Sequence, residues 1–392
     1  MPPEPTLQDH RGRPVRRRSL RRTSAAQSNA VAGARSEWYE SLYQRVNPTT
    51  MAWILHESRY GFDLDRFLLL AEELEEVDTH YAGVLRARKR ATTKLPLAVE
   101  PNGAAANVAA AADKLLQEPF VAKALFDILD ALGKGFSCTE ILWRCEPSGW
   151  TPRELKWRDP RHFRFDEYDR ETILLRTGLA QAEPLPPFKF IYHQPVLKSG
   201  LPVRNGLARL CAWTWLYKHY TLRDWMAFLE IYGLPARVGK YGHSARDEDV
   251  AILKDEVAKL GSSAAAVIPD ELSLEIVSAS NAGGHGQVFE AAARYWDQAL
   301  SKAIVGQTMT SESGSSLSQA RVHMEVAHDV TESDARHLAM TLSEQLVMPY
   351  VQLNWGPQER YPLARFEIPQ RPGENLEGEA AGDEAPPPAR PA

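Results

Sequence analysis

The sequence predicts an α+β fold that combines long helices with small antiparallel sheets. Long segments, above all 206–232 and 317–351, carry apolar residues at helical spacing. Shorter segments alternate apolar and polar residues between turn signals, as short strands do. Strands and helices do not alternate regularly along the chain, which argues against a doubly wound parallel sheet. At 392 residues the chain is long enough for two or three compact units.

The first half of the chain predicts four helices and six strands. Thr49 or Thr50 is the expected N-cap of the first helix. Residues 64–90 predict one long helix, because acidic residues early and basic residues late suit the helix macrodipole. Gly133 and Gly135 end the fourth helix. The later helices are predicted at 64–90, 104–118 and 119–132, and the strands at 95–100, 138–145, 155–157, 163–166, 173–176 and 188–193.

The second half is predicted to be mainly helical. One of its long helices, 206–232, has aromatic residues spread around it, which implies burial on more than one side. Leu234-Pro235 ends that helix, and residues 281–286 predict a flexible connector, with an anion-holding turn as the alternative. The remaining predicted helices are 246–260, 287–305 and 317–351, and the remaining predicted strands are 236–240, 264–268 and 272–277.

Composition is that of an ordinary globular protein, with 44% hydrophobic and 25% charged residues. No apolar run is long enough to span a membrane, and no secretory signal is expected at the N-terminus. Three cysteines form neither a disulfide framework nor a zinc pattern, so a reducing compartment is expected. The formal net charge of −5 argues against a body that clamps nucleic acid.

Both ends of the chain are predicted to be disordered because they offer little apolar surface. Residues 1–36 form a basic arm, and residues 373–392 form an acidic, proline-rich tail. The arginines of the arm are candidates for contact with nucleic acid. They are Arg11, Arg13, Arg16, Arg17, Arg18, Arg21 and Arg22.

No pattern predicts catalysis, a metal or a cofactor. The segment Gly233–Tyr241 resembles a phosphate-binding loop but has one residue too many between its glycines. His323, His328 and His337 are spaced by five and nine residues, whereas paired helical zinc ligands need a spacing of four. No Gly-x-Ser-x-Gly elbow is present. The chain is therefore predicted not to be an enzyme, with no cofactor and no catalytic residues.

A polar loop between the last two predicted long helices is the most informative feature of the sequence. A loop this rich in small polar residues is expected to have a task. It can approach a smooth charged object without gripping it. Its candidate contact residues are Thr308, Thr310, Ser311, Ser313, Gly314, Ser315 and Ser316.

Several segments, in order along most of the chain, resemble the Mu-like phage portal proteins. The segments that carry the resemblance are 9–14, 70–90, 158–166, 185–193, 198–225, 228–241, 264–280 and 301–323. The longest of them reads KSGLPVRNGLARLCAWTWLYKHYTLRDW. The resemblance implies a phage portal fold, with long helices in its stem and wing.

The resemblance further implies a homo-oligomeric ring, usually a dodecamer, at one capsid vertex of a tailed phage or prophage. Double-stranded DNA is packaged and ejected through the channel of such a ring. The implied partners are the terminase large subunit, capsid and scaffold proteins, and head–tail adaptor proteins, with no membrane. The implied location is the virion, and the host cytoplasm during assembly.

By analogy with that family, residues 37–205 are assigned to the first part of the wing and residues 206–286 to a stem and clip-like region. Residues 287–372 are assigned to the channel loop and a long wing helix. The polar loop, including Thr308, is expected to face DNA. The expected subunit-interface residues are Trp213, Trp215, Tyr217 and Trp225.

Two expectations depart from this assignment. Members of the resembled family generally continue well beyond the position that matches Asn354, so a small or absent crown and a shortened prophage copy are expected. The alternative function is a nucleic-acid-binding adaptor that uses the arginine-rich arm. In a portal protein the same arginines are expected to contact the scaffold or the capsid instead.

Overall fold

A computed structural model describes residues 7–20, 46–60, 63–178, 181–232, 237–242, 244–259, 265–269, 282–308 and 317–369. The chain divides into two compact units. Unit 1 comprises Met1–Ala212 and Leu300–Ala392, and unit 2 comprises Trp213–Ala299. No helix among the described residues is long and apolar enough to cross a membrane.

The architecture is α+β, as the sequence predicts. The described helices are α1 Arg17–Leu20, α2 Pro48–Glu57, α3 Asp65–Val77, α4 Thr79–Thr93, α5 Ala106–Leu116, α6 Pro119–Ile128, α7 Ala131–Lys134, α8 Leu207–Tyr232, α9 Asp247–Lys259, α10 Ala282–Val305, α11 Leu317–Leu342 and α12 Met348–Trp355. The described strands are β1 Leu97–Glu100, β2 Ser137–Glu146, β3 Gly149–Arg158, β4 Phe163–Phe165, β5 Ile173–Arg176, β6 Ala182–Pro184, β7 Phe190–His193, β8 Arg237–Tyr241, β9 Ala265–Pro269 and β10 Leu363–Phe366.

Unit 1 contains three small antiparallel sheets, with strand orders β3-β2-β7, β4-β5-β6 and β1-β10. The β2–β3 hairpin is local, whereas β1 pairs with β10 across most of the chain, Leu97 opposite Phe366. Strands β6 and β10 are short, and neither is predicted from the sequence. Residues 272–277, predicted as a strand, lie outside the described residues.

The sheet in unit 2 is parallel, whereas the sequence predicts small antiparallel sheets. Strands β8 and β9 pair in parallel, and α9 lies between them in sequence. Gly239 lies against α9, where an added Cβ would be 3.1 Å from Val257 and 3.2 Å from Leu253. The absence of a side chain at Gly239 therefore allows the helix to pack closely on the sheet.

The structure differs from four of the predictions made for helices. The helix predicted at 64–90 is two helices, because Asp78 leaves the helical conformation and caps α4 by accepting from His80 N and Tyr81 N. Asn47, and neither Thr49 nor Thr50, caps α2 by accepting from Thr50 N. The last predicted helix contains a π-helical turn, Ser343–Val347, before it continues as α12. The connector predicted at 281–286 is helical from Ala282 onward.

The prediction of a disordered arm over residues 1–36 is wrong for residues 7–20, which fold against other parts of unit 1. The carboxylate of Asp9 accepts from Arg11 N, Arg13 N and Arg13 Nε at 2.8–2.9 Å, closing a tight turn. Leu7 and Leu20 are buried, and the Leu20 carbonyl accepts from Lys189 Nζ at 2.8 Å. Burial of Leu7 and Leu20 and the hydrogen bond to the Leu20 carbonyl offset the entropy lost when this segment becomes ordered. The composition of the segment alone does not reveal these contacts. Residues 1–6 and 21–36, and the predicted tail 373–392, lie outside the described residues.

A buried ion-pair network connects α3, α4 and α7. Lys89 Nζ lies 3.3 Å from both Glu75 and Asp130, and Lys134 Nζ lies 2.8 Å from Asp130 and 3.4 Å from Glu72. Burial opposes ionisation of Asp130, but the charges of Lys134 and Lys89 outweigh it and lower its pKa. The network therefore holds these helices together, because separating them would leave buried charges without partners at a large cost in free energy.

His193, at the end of β7, is a buried imidazole that must stay neutral. Its Nδ1 lies 2.9 Å from Thr341 Oγ1, and the Thr341 hydroxyl donates to the His337 carbonyl at 3.0 Å. The Thr341 oxygen therefore accepts from Nδ1–H of His193. Burial, and secondarily the charge of His337, lower the pKa of His193 to about 3.

This histidine predicts a loss of stability in mild acid. The unfolded chain binds a proton near the ordinary value of 6.5 and the folded chain only near 3, so stability falls as the pH drops through 6.5. At pH 5 the cost is about 2 kcal/mol relative to pH 8. We expect His193→Asn, which keeps a donor but cannot be protonated, to show a shallower loss in urea unfolding between pH 8 and pH 5. Equal losses in the two proteins would contradict this assignment.

Candidate subunit and channel surfaces

The polar loop predicted to face DNA begins directly after α10. Gly306 ends that helix with φ +73°, and its N–H donates to the Lys302 carbonyl at 3.1 Å. Gln307 is buried and Thr308 is half-buried. A Cβ on Gly306 would lie 2.8 Å from a methyl group of Val326, so both conformation and space favour glycine. The other candidate loop residues, Thr310, Ser311, Ser313, Gly314, Ser315 and Ser316, lie outside the described residues.

One arginine fixes the helices on both sides of this loop. Arg88 of α4 makes a bidentate ion pair with Asp334 of α11, with Nε–Oδ2 at 2.7 Å and Nη2–Oδ1 at 2.9 Å. Its Nη1 donates to the Ile304 carbonyl at 2.5 Å, two residues before Gly306. Both side chains are buried. One guanidinium therefore positions the end of α10 and the body of α11 relative to α4.

We expect Arg88→Met to lower the free energy of unfolding by about 3–5 kcal/mol, because Asp334 would remain buried without its partner. The double variant Arg88→Met/Asp334→Leu should recover most of that loss, since it leaves no buried charge. Urea unfolding of the two variants and of the parent chain measures both values. A loss below about 1 kcal/mol for Arg88→Met would contradict the role given to this pair.

The described arginines of the N-terminal arm differ in their surroundings. The side chain of Arg13 is bound to Asp9 at 2.8 Å, while Arg11 is exposed. Arg16 and Arg17 lie at or beside α1. Arg21 and Arg22 lie outside the described residues, and so does the side chain of Arg18. The structure therefore assigns Arg13 to the folding of the arm.

Aromatic residues of α8 pack largely against α10 within unit 2. Tyr217 lies 5.8 Å from Trp296 between ring centroids, and Trp225 is stacked on Phe289 at 6.4 Å. Thr221 Oγ1 accepts from Trp296 Nε1 at 3.2 Å. Early residues of α8 thus meet late residues of α10, and later ones meet earlier ones. The two helices are therefore antiparallel.

This packing corrects part of the predicted subunit interface. Trp215 is only 2% exposed within the protomer, so the prediction that it faces a neighbouring subunit is wrong. Trp213 and Trp225 are half-buried and stacked on neighbouring rings, and Tyr217 is exposed on one side. Contact of Trp213, Tyr217 and Trp225 with a neighbouring subunit stays a prediction.

The exposed apolar residues of unit 2 include two stripes that the sequence analysis missed. The α8 stripe consists of Leu222, Met226 and Leu229, with exposures of 38%, 52% and 42%. The α10 stripe consists of Val288 and Tyr295, with exposures of 66% and 61%. Their spacings of three, four and seven residues place each set on one helix face. The spacing was visible in the sequence, but the aromatic positions beside it gave the stronger signal.

The two stripes lie on opposite faces of the α8–α10 pair. Each member of the α8 stripe follows by one residue a position that faces α10, namely Thr221, Trp225 and Phe228. Each member of the α10 stripe precedes by one residue a position that faces α8, namely Phe289 and Trp296. One residue is a turn of about 100° around a helix. The α8 stripe lies one residue after the positions that face α10, and the α10 stripe lies one residue before the positions that face α8. Because the two helices are antiparallel, these two rotations of about 100° place the stripes on opposite faces of the helix pair.

Residues with potential chemistry form no centre among the described residues. The buried thiols of Cys138 and Cys211 have raised pKa values because of burial. His328 and His337 are not brought together as a cluster, and the side chain of His323 lies outside the described residues. His328 instead lies near Asp329 and Glu332, with one ligand atom of each within 4.8 Å of the others. His328 Nε2 contacts the Pro369 carbonyl at 3.0 Å, so this group carries no metal assignment.

Residues 68–385 match the family described as the portal protein of Mu bacteriophage. The chain belongs to this family. The resemblance inferred from the sequence is therefore confirmed, and so is the α+β fold class predicted with it. The match covers most of unit 1 and all of unit 2.

Two members of the family are similar over most of this chain. The Mu-like prophage FluMu protein gp29 of Haemophilus influenzae is 33% identical over 350 residues, which cover 86% of this chain and 66% of that protein. The portal protein of Escherichia phage Mu is 33% identical over 350 residues, which cover 86% of this chain and 65% of that protein. The chain thus spans about two thirds of the length of these relatives.

Solved structures are similar in fold. A chain in the virion of a native gene transfer agent particle aligns with a TM-score of 0.52 and 14% identity, over 83% of this chain and 92% of that chain. A chain in the neck of the empty particle, computed with C6 symmetry, aligns with a TM-score of 0.52 and 13% identity, over 81% and 91%. At these identities the likeness concerns the fold alone.

Proposed function

We propose that this chain is the subunit of a portal ring at one vertex of a tailed-phage or prophage capsid, through which double-stranded DNA is packaged and ejected. The observation that carries the proposal is the pair of apolar stripes on opposite faces of α8 and α10. Membership of the Mu portal family and the name of its phage Mu member support it. In this role the chain is structural and has no catalytic residues.

Opposite stripes suit a ring because a closed ring needs heterologous contacts. Each copy must present one surface to the copy before it and a different surface to the copy after it. The α8 stripe of one copy facing the α10 stripe of the next repeats around an axis until the ring closes. A single patch shared by two copies would close as a dimer instead. The fold similarity to a chain in a particle neck computed with C6 symmetry is compatible with such repetition.

The proposal assigns parts of the chain to parts of a portal. Unit 2, Trp213–Ala299, is the stem and clip, close to the 206–286 range expected from the sequence. Unit 1 forms the wing, and the loop that follows α10 faces DNA. The partners in this role are duplex DNA, the terminase large subunit, capsid and scaffold proteins and head–tail adaptors. The location is the virion, after assembly in the host cytoplasm.

Aspartate in the α8 stripe is expected to block ring assembly. In Leu222→Asp/Met226→Asp, two charges would have to be buried against the next copy, which costs several kcal/mol per contact. The concentration for half-assembly should therefore rise at least about 100-fold. Sedimentation velocity and negative-stain images measure the ring fraction, and circular dichroism checks the fold. Tyr168→Asp is the matched control, since Tyr168 is 96% exposed and lies in unit 1.

Mixing two variants tests the head-to-tail geometry directly. A copy with an altered α8 stripe keeps its α10 stripe, and Val288→Asp/Tyr295→Asp keeps its α8 stripe. Each variant alone should be monomeric, whereas the mixture should give one-to-one dimers that cannot extend. Rings in either variant, or no dimer in the mixture, would overturn this interface.

Deletion of Ser311–Ser316 tests the role of the channel loop. Because Arg88 and Gly306 hold the helices at its ends, the deletion is expected to leave ring assembly unchanged. Packaging should be impaired, because a small polar surface would no longer line the DNA path. The readouts are the ring fraction and the amount of nuclease-protected DNA in particles. Normal packaging by the deleted form would remove the loop from this role.

A further inference from the structure

Three arginines of unit 1 gather around the start of α8. Arg209, in the first turns of α8, donates to the Leu55 carbonyl at 3.0 Å and to Ser58 Oγ at 2.7 Å. Its guanidinium also lies 4.5 Å from the ring centroid of Phe67. Arg204 Nε donates to the Arg59 carbonyl at 3.4 Å, which places Arg59 in the same group. Arg59, Arg204 and Arg209 are called the arginine cluster.

Within the arginine cluster, Arg209 has too little negative charge around it among the described residues. Within the described part of the chain, Arg209 makes no ion pair with a carboxylate, and its Nε is buried without a hydrogen-bond partner. Burial, followed by the charges of Arg204 and Arg59, lowers the pKa of Arg209 to about 10. The first turn of α8 holds no acidic residue, so the positive end of the helix dipole adds to the same charge. Such a group is stabilised by an anion.

A cleft beside α3 has the opposite imbalance. It is lined by five carboxylates and three basic side chains, with Phe126 and Trp157. Glu76 is exposed and Asp127 half-buried, and neither carboxylate has an ion-pair or hydrogen-bond partner among the described residues. At its base, a Cβ on Gly133 would be 3.0 Å from Glu75 Oε1 and 3.7 Å from the fully buried Tyr81 hydroxyl. Neither oxygen has a hydrogen-bond partner among the residues that the structure describes. Burial, and next the charge of Asp130, raise the pKa of Asp127.

Helix α3 separates the two groups. Phe67, under Arg209, and Glu76, at the cleft, are nine residues apart on this helix. Nine residues turn the helix by about 900°, so the two side chains point to opposite sides, about 13 Å apart along the axis. A rigid helix cannot bring both groups together within one protomer. A second copy can supply what each group lacks.

We propose that the arginine cluster of one copy binds the carboxylates of the acidic cleft of the next copy. The proposal rests on the ring proposed above and adds a charged contact between neighbouring copies of unit 1. Carboxylates suit the site because guanidinium groups hold them by paired hydrogen bonds. The contact is heterologous, as ring closure requires.

Charge reversal tests the contact with the intact chain. Arg59→Glu and Glu76→Arg should each raise the concentration for half-assembly about threefold to tenfold, the effect expected when one partly exposed ion pair becomes repulsive. The double variant Arg59→Glu/Glu76→Arg should assemble like the parent chain. An equimolar mixture of the two single variants should also assemble, since alternating copies make every contact complementary. Damage within a protomer cannot be repaired by mixing.

Arg153→Glu, the same reversal at another exposed arginine of unit 1, is the matched control and should not change assembly. Raising the salt concentration to about 0.5 M should shrink the differences between variants, because exposed charges are screened. Single reversals without effect, or no rescue in the mixture, would overturn the contact while leaving the ring intact. A parent chain that stays monomeric would overturn both proposals. Weakened binding of a short DNA duplex by Arg59→Glu, with assembly unchanged, would make the cluster a phosphate site and also overturn this contact.

Discussion

The buried ion pair between Arg88 and Asp334 is the interaction on which the position of the proposed channel loop depends. The Arg88 guanidinium holds Asp334 through two hydrogen bonds and binds the Ile304 carbonyl with a third. The cost of leaving either charge alone in the interior makes this arrangement hard to loosen. The end of α10 and the body of α11 therefore keep fixed positions relative to α4. A loop between two helices held in this way can be polar and still start from a defined place.

The α8–α10 pair shows how one packing decision produces two surfaces. The large aromatic rings, which are the most hydrophobic residues of the two helices, pack between α8 and α10 inside the protomer. The apolar residues of the α8 and α10 stripes, which lie one residue away from the packed positions, remain exposed on each helix. Because the helices are antiparallel, those exposed positions face opposite ways. Two different apolar faces favour a head-to-tail assembly in which each copy binds the next one, whereas a single self-complementary patch gives a symmetric dimer.

Much of the fold followed from local pattern. Helix and strand types were correct for most predicted elements, since spacing and turn residues report local conformation directly. The errors have local and non-local causes. Asp78 caps a new helix at a point where the order of acidic and basic residues favoured one continuous helix. Residues 7–20 fold because they contact Lys189 and a buried surface, and those contacts could not be predicted because Lys189 is far away in sequence. Strand β10 was missed because its partner β1 is more than 250 residues distant.

The sequence by itself determined the fold class, the absence of any spacing suited to catalysis, and the family, because these depend on the order and type of residues. Tertiary structure decided which aromatic residues are interior, which arginines are already engaged, and which faces remain open. Trp215 and Leu222 look alike in a hydrophobic pattern, yet one is buried and the other exposed. The reason is physical: a helix face is buried only when a partner covers it, and the partner's position depends on contacts between distant parts of the chain.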